Sequence, residues 1–265
     1  MEAKSVRRTN KHADLLNGPL AVNIFLFAIP VMLSGILQLL FNAADIIVVG
    51  RFAGSNALAA VGSNGALINL IVNLLIGLSV GSAVTVGFYF GAAEMDQVRE
   101  TIHTSVAISI IGGLICAVAG FVISPYLLEL MGTPENIIDQ AALYLKIYFV
   151  GVPAMSIFNF GSSILRSLGD TKRPLYYLIV GGIANVVLNL VLVAGFHLDV
   201  EGVAIATVVS QVISAALTLR CMMRMDEEIR LCWKDVRVAK SKLIRIVRIG
   251  IPAGVQAMVF SISNT

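Results

Sequence analysis

Charged residues are spaced along this chain so that long apolar stretches lie between them. Leu15 to Ala44 is thirty residues without a charge, more than the ~20 that a helix needs to cross the hydrocarbon of a bilayer. Phe52 to Ala93 is a second such run, of forty-two residues. As one straight helix it would reach roughly 60 Å, so it must tilt, overhang the bilayer or contain a turn. Further spans are predicted within Thr104 to Leu128, Ala141 to Leu165 with Lys146 near its start, Pro174 to Phe196, and Gly202 to Leu219; a seventh begins at Ile249. The expected fold is an all-α polytopic membrane protein. A cytoplasmic tail (1–14) precedes a six-helix transmembrane bundle (15–222), then a basic connector (223–248) and the unfinished start of a seventh helix (249–265).

Composition agrees, with 57% apolar residues, 13% charged and a mean hydropathy of +0.88, far from a soluble domain of this size. The first apolar run is too long for a signal-peptide core and no A-x-A site follows, so it is read as retained. Placing the N-terminus in the cytoplasm puts seventeen of the nineteen Lys and Arg on that side and leaves only Arg51 and Lys146 outside. The positive-inside bias therefore favours this orientation. Arg220 to Arg248 holds nine basic and four acidic residues. Its last part, 240–248, sets Leu243, Ile246 and Val247 on one face, as in a helix lying at the cytoplasmic headgroups or in a solvated connector between two bundles.

One span repeats. Ile29-Pro30 and Asn42 recur as Ile251-Pro252 and Asn264 at a constant offset of 222, as in transporters built from repeated halves. On this reading the chain is the first half of something about twice as long.

Asp45 ends the first run, and a carboxylate facing hydrocarbon costs at least ~2.5 kcal/mol, so it is expected to face the bundle interior or a wet cavity. Pro30, earlier in the same span, is expected to kink it. Counting from the span ends puts Asp45 and Thr207 at ~8 Å and Asn189 at ~11 Å from one membrane surface. Asn185 lies one turn deeper and shares a helix face with Asn189. Two readings stand for Asn185, Asn189 and Thr207: interhelical hydrogen bonds, worth ~0.6 kcal/mol each, or, with Asp45, a site that exchanges a proton or Na+ for another cation. Gln38, Asn42, Asn159 and Gln211 are candidates to line a cavity or to pair between helices. Gly77-xxx-Gly81 and Gly87-xxx-Gly91 read as packing motifs. His12, His103 and His197 read as interfacial or capping histidines, and Cys116, Cys221 and Cys232 have no paired spacing. No nucleotide-binding or zinc-protease motif is present, so no cofactor is expected beyond a coupling ion, H+ or Na+, and no metal beyond Na+ at Asp45.

Two motifs carry a resemblance: DIIVVGRFAG (45–54), at the end of the first span, and LRSLGDTKRP (165–174), at the turn between the fourth and fifth. Through them the whole chain resembles the first half of the multidrug and toxic compound extrusion (MATE) transporters. In the second motif, Arg166 complements the negative helix end, Gly169-Asp170 makes the turn, and Thr171 is expected to cap the next helix, with Pro174 in its first turn. The resemblance implies two six-helix lobes around a central cavity. It implies export of organic cations or other amphipathic small molecules in exchange for protons or sodium, with no nucleic-acid partner. The missing lobe would be supplied in cis, or a second half in trans. It also implies a bacterial inner-membrane location and maps the coupling site onto Asp45, Pro30, Asn185, Asn189 and Thr207. Some members carry a second acid where Asn189 stands, and a glutamate where Phe260 stands; both differences lean toward the DinF-like rather than the NorM-like branch. A lipid-linked oligosaccharide flippase of the same superfamily would need a cationic cavity, whereas no Lys or Arg lies mid-span. A seven-helix receptor would need the opposite orientation, and an enzyme would need a paired acid, His or Cys cluster.

Overall fold

The computed structural model describes residues 20–263; the 1–14 tail, His12, Asn264 and the Phe260 side chain lie outside the described residues. Eight helices follow in order among them: α1 (Leu20–Val48), α2 (Gly54–Ser63), α3 (Gly65–Gly91), α4 (Met95–Leu130), α5 (Glu135–Ser167), α6 (Lys172–Asn189), α7 (Val200–Met222) and α8 (Lys240–Ser263). Six segments are long and apolar enough to cross a membrane, from Ala21–Ser63 to Val200–Met222. Large apolar side chains point outward, Phe25 at 67%, Leu39 at 70% and Val118 at 66% exposure. Lipid tails cover such a surface without cost, which is why these helices need no polar face.

α5 is the hub, packed against α2, α3, α4 and α7. The forty-two-residue run resolves into a turn: α2 stops at Ser63 and α3 starts at Gly65. The residue between them, Asn64, is fully buried and donates Nδ2 to the Ala141 carbonyl of α5 at 3.0 Å. That bond pairs the amide nitrogen where the helix breaks, while its Oδ1 is buried without a hydrogen bond. Pro30 lies inside α1, and Ser34 Oγ donates to its carbonyl at 2.8 Å.

Two wide, π-type turns end the helices that carry the candidate site. Val49–Ala53 continues α1, and Leu190–Gly195 continues α6 from Asn189. Such turns add a residue to the helical ladder and rotate the side chains on either side, a feature frequent at functional sites.

The turn from α5 to α6 is capped differently from the sequence-based expectation. Gly169 (φ +91°) sits past the helix end, with Asp170 N donating to Leu165 O at 2.9 Å and Gly169 N to Arg166 O at 3.0 Å, a Schellman closure. Thr171 makes no side-chain cap. Asp170 Oδ1 accepts from the Arg173 N–H at 3.1 Å instead, and its other oxygen meets Arg173 Nε at 3.2 Å. A carboxylate outbids a hydroxyl for the positive end of a helix.

The connector also departs from expectation. The segment 240–248 is not a separate helix at the headgroups, nor does a new helix begin at Ile249; both belong to the unbroken α8. Nothing between Lys240 and Pro252 breaks a helix, and one face has a partner. Ile246 is fully buried and Lys242 is 3% exposed. The Gly77-xxx-Gly81 pair faces α8 so closely that a Cβ on Gly77 would come within 2.2 Å of Gly254 Cα, and one on Gly81 within 2.3 Å of Ile246 O. Gly87 and Gly91 make no such approach. His103, read as interfacial or capping, is buried instead, its Nε2 accepting from the Cys232 N–H at 3.0 Å.

Candidate coupling site

α1 and α6 pack side by side, and their polar residues meet near the wide turns. Asn189 Nδ2 donates to Asp45 Oδ1 at 2.5 Å and to Asn185 Oδ1 at 3.3 Å. Asn185 Nδ2 donates to Thr207 Oγ1 at 3.5 Å, and Thr207 Oγ1 donates to the Val203 carbonyl at 3.0 Å. Asn189 is 1% exposed and Asn185 5%, while Asp45 is half-buried. Four residues from three helices thus form one hydrogen-bonded chain, with the carboxylate at its open end.

One atom in the chain is left over. Asn189 Oδ1 is buried without a hydrogen bond, which costs about 1–3 kcal/mol unless something donates to it or binds it. The oxygen donors gathered here are a carboxylate, two amide oxygens and a hydroxyl. That set is hard and negatively charged, suited to Na+ or to a bound proton and ill suited to a soft metal. Asp45 with Asn189, Asn185 and Thr207 would hold such a cation.

The other candidates stand apart. Pro30 is fifteen residues, roughly 22 Å, along α1 from Asp45. Gln38 and Asn42 share the Asp45 stripe but are exposed. Asn159, half-buried on α5, makes no hydrogen bond to the cluster. Gln211 lines a small cavity with Thr207, Tyr148 and Met155, and its Oε1 is buried and unpaired.

Sequence reasoning missed two tyrosines. Tyr144 and Tyr148 stack at 6.2 Å between ring centroids, and Tyr148 donates to Met155 Sδ at 3.6 Å and lines the small cavity beside Thr207. Their i, i+4 spacing on the buried face of α5 was the available signal.

The fold and cluster define a polytopic bundle with a polar site in its membrane interior. The chain belongs to the MatE family, which it matches over residues 30–191. It is 32% identical over 250 residues to the probable multidrug resistance protein YoeA of Bacillus subtilis (strain 168), covering 90% of this chain and 53% of YoeA. Among solved structures, it superposes on the outward-facing conformation of a multidrug resistance MATE family transporter of the MOP superfamily. That match has a TM-score of 0.88 and 26% identity, over 96% of this chain and 56% of the other. The inward-facing conformation of such a transporter gives 0.78 at 26% identity, over 85% and 51%. The chain spans about half the length of the curated relatives it matches.

Proposed function

We propose that this chain forms the N-terminal half of a secondary transporter that exports amphipathic or cationic small molecules, coupled to inward movement of H+ or Na+ at Asp45. The observation that carries this reading is Asp45 in hydrogen-bond contact with Asn189, whose own oxygen is buried and unpaired. A cation bound there would satisfy that oxygen and neutralise the carboxylate together. Binding in only one of two arrangements of α1 would bias the bundle between inward- and outward-open forms, since only differential affinity shifts such an equilibrium. Pro30 gives α1 a place to bend and the two wide turns a place to rotate. The N-terminus and the connector face the cytoplasm in this scheme, as the Lys and Arg distribution favours. The remaining half comes in cis, or from a second chain.

The test is Asp45→Asn in cells carrying this chain together with the half that its relatives add, with efflux of a fluorescent organic cation as readout. Efflux is expected to fall to background with membrane abundance unchanged. Full efflux in that variant would remove Asp45 from the mechanism.

A further inference from the structure

An open groove of about 300 Å³ runs between α4, α5 and α7. Its lining is apolar, and Phe121, Val150, Ile205 and Val209 are all exposed. The one charged residue on it is Lys146, which makes no ion pair or hydrogen bond among the described residues.

The depth of Lys146 follows from helix geometry. α5 has 33 residues, so it is roughly 50 Å long and overhangs a ~30 Å hydrocarbon core by about 10 Å at each end. Lys146 is eleven residues from its start at Glu135, or ~16 Å, which puts its Cα about 6 Å inside the core. A lysine there reaches the phosphate level by stretching along the helix, and with no protein partner it takes its counter-charge from the bilayer. Two carboxylates lie farther toward water above the same groove. Asp139, exposed, is seven residues before Lys146 on its helical stripe, and Glu201 is one turn before Ile205 on α7. Neither forms an ion pair among the described residues.

From the membrane interior outward the order is therefore apolar trough, cation, acids. We propose that the groove is a binding site for one phospholipid with a zwitterionic amine headgroup. An acyl chain lies in the trough, the phosphate on Lys146, and the primary ammonium toward Asp139 and Glu201. Phosphatidylethanolamine meets every element. Phosphatidylglycerol brings no cation to the two acids.

The test places the purified chain in nanodiscs of equal phosphatidylethanolamine and phosphatidylglycerol and counts retained lipid by native mass spectrometry. One phosphatidylethanolamine is expected to persist. Lys146→Gln should lower its retention roughly ten-fold, the worth of a hydrogen bond to a charged group. Asp139→Asn with Glu201→Gln should leave a lipid bound but abolish the preference. Val150→Trp, which fills the trough and keeps the lysine, should expel both lipids. Three results would each overturn the proposal: no retained lipid, a preference for phosphatidylglycerol in the unaltered chain, or retention indifferent to Lys146→Gln and Val150→Trp. So would disulfide pairing of Val150→Cys between two copies, which would make this face a dimer contact.

Discussion

Asn189 turns its Nδ2 to Asp45 Oδ1 at 2.5 Å and keeps its own Oδ1 buried without a partner. The amide is the only hydrogen-bond donor to that carboxylate among the described residues. An ionised Asp45 can only accept, as it does from Nδ2, whereas a protonated one also carries an O–H donor that an amide oxygen can take. A half-turn of the amide would bring its orphaned oxygen to that proton and would give up the bond from Nδ2 to Asn185 Oδ1.

That geometry separates two substitutions. Asp45→Asn keeps an acceptor opposite Asn189 and is expected to change stability little while removing the charge. Asn189→Leu strips the donor from a half-buried carboxylate and is expected to cost about 1–3 kcal/mol. The double variant should cost less than the sum, because without the charge only the Asn185 oxygen still loses its donor. Thermal unfolding of the four proteins in one detergent checks the cycle; additive losses would mean that the two side chains act independently.

Much of this arrangement was legible in the residues. Uncharged runs located the spans, because a bilayer admits few charges, and depth counting put Asp45, Asn189 and Thr207 in one slab. Counting gave depth but not direction. It could not show that Gln38 and Asn42 stay exposed on the Asp45 stripe, nor that Tyr148 shares a cavity wall with Thr207, because rotation about a helix axis is set by packing. The break at Asn64 was equally hidden, since an asparagine between two apolar helices gives no sign that its partner is a carbonyl seventy-seven residues away. At the α5–α6 turn the residues were right and the donor–acceptor assignment wrong, as Asp170 and Thr171 can both cap.

The α3–α8 seam predicts a contrast between glycines. A methyl on Gly77 would meet Gly254 Cα at 2.2 Å, and backbone cannot step aside as a side chain can. Gly77→Ala is expected to cost about 1–3 kcal/mol and to push the helices apart. A methyl added to Gly112, inside α4, would have nothing within 4 Å of it, so Gly112→Ala should be neutral or stabilise by up to about 1 kcal/mol. Thermal unfolding of the two variants in one detergent checks the contrast: Gly77→Ala should melt below the unaltered chain and Gly112→Ala should not.

The connector is fastened to α4 through His103. Its Nε2 accepts from the Cys232 N–H at 3.0 Å, so its Nδ1 carries the proton and donates to Arg99 O at 2.7 Å. Nearby, Arg99 pairs with Asp235 at 2.7 Å, and Thr104 Oγ1 joins Arg237 O and Ala239 N. Only the neutral ring can accept from Cys232. His103→Ala is therefore expected to lower protection of the Cys232 amide from hydrogen exchange roughly ten-fold, the worth of one buried hydrogen bond. Protection of the α5 interior should not change. Equal protection at Cys232 would show that the ion pair and Thr104 hold the connector alone.

Lys242 fastens the other end. Although charged, it is 3% exposed: its Nζ donates to Gln97 Oε1, sits 3.9 Å from Glu100 and lies 3.8 Å above the Tyr89 ring. Arg245, one turn on, donates to the Tyr89 hydroxyl at 3.0 Å and covers the Phe88 ring at 4.1 Å. Two cations on two rings join the first turns of α8 to the end of α3. Lys242→Ala leaves the Gln97 oxygen without its donor and is expected to cost about 1–3 kcal/mol. Tyr89→Leu takes the ring away from both cations, at about 0.5–2 kcal/mol for each cation–π pair. Lys240→Ala, on the exposed side of the same turn, serves as the control. Maleimide labelling of a Leu243→Cys reporter should quicken with Lys242→Ala and with Tyr89→Leu and stay slow with Lys240→Ala. Equal rates in all three would mean that the glycine seam alone holds α8 in place.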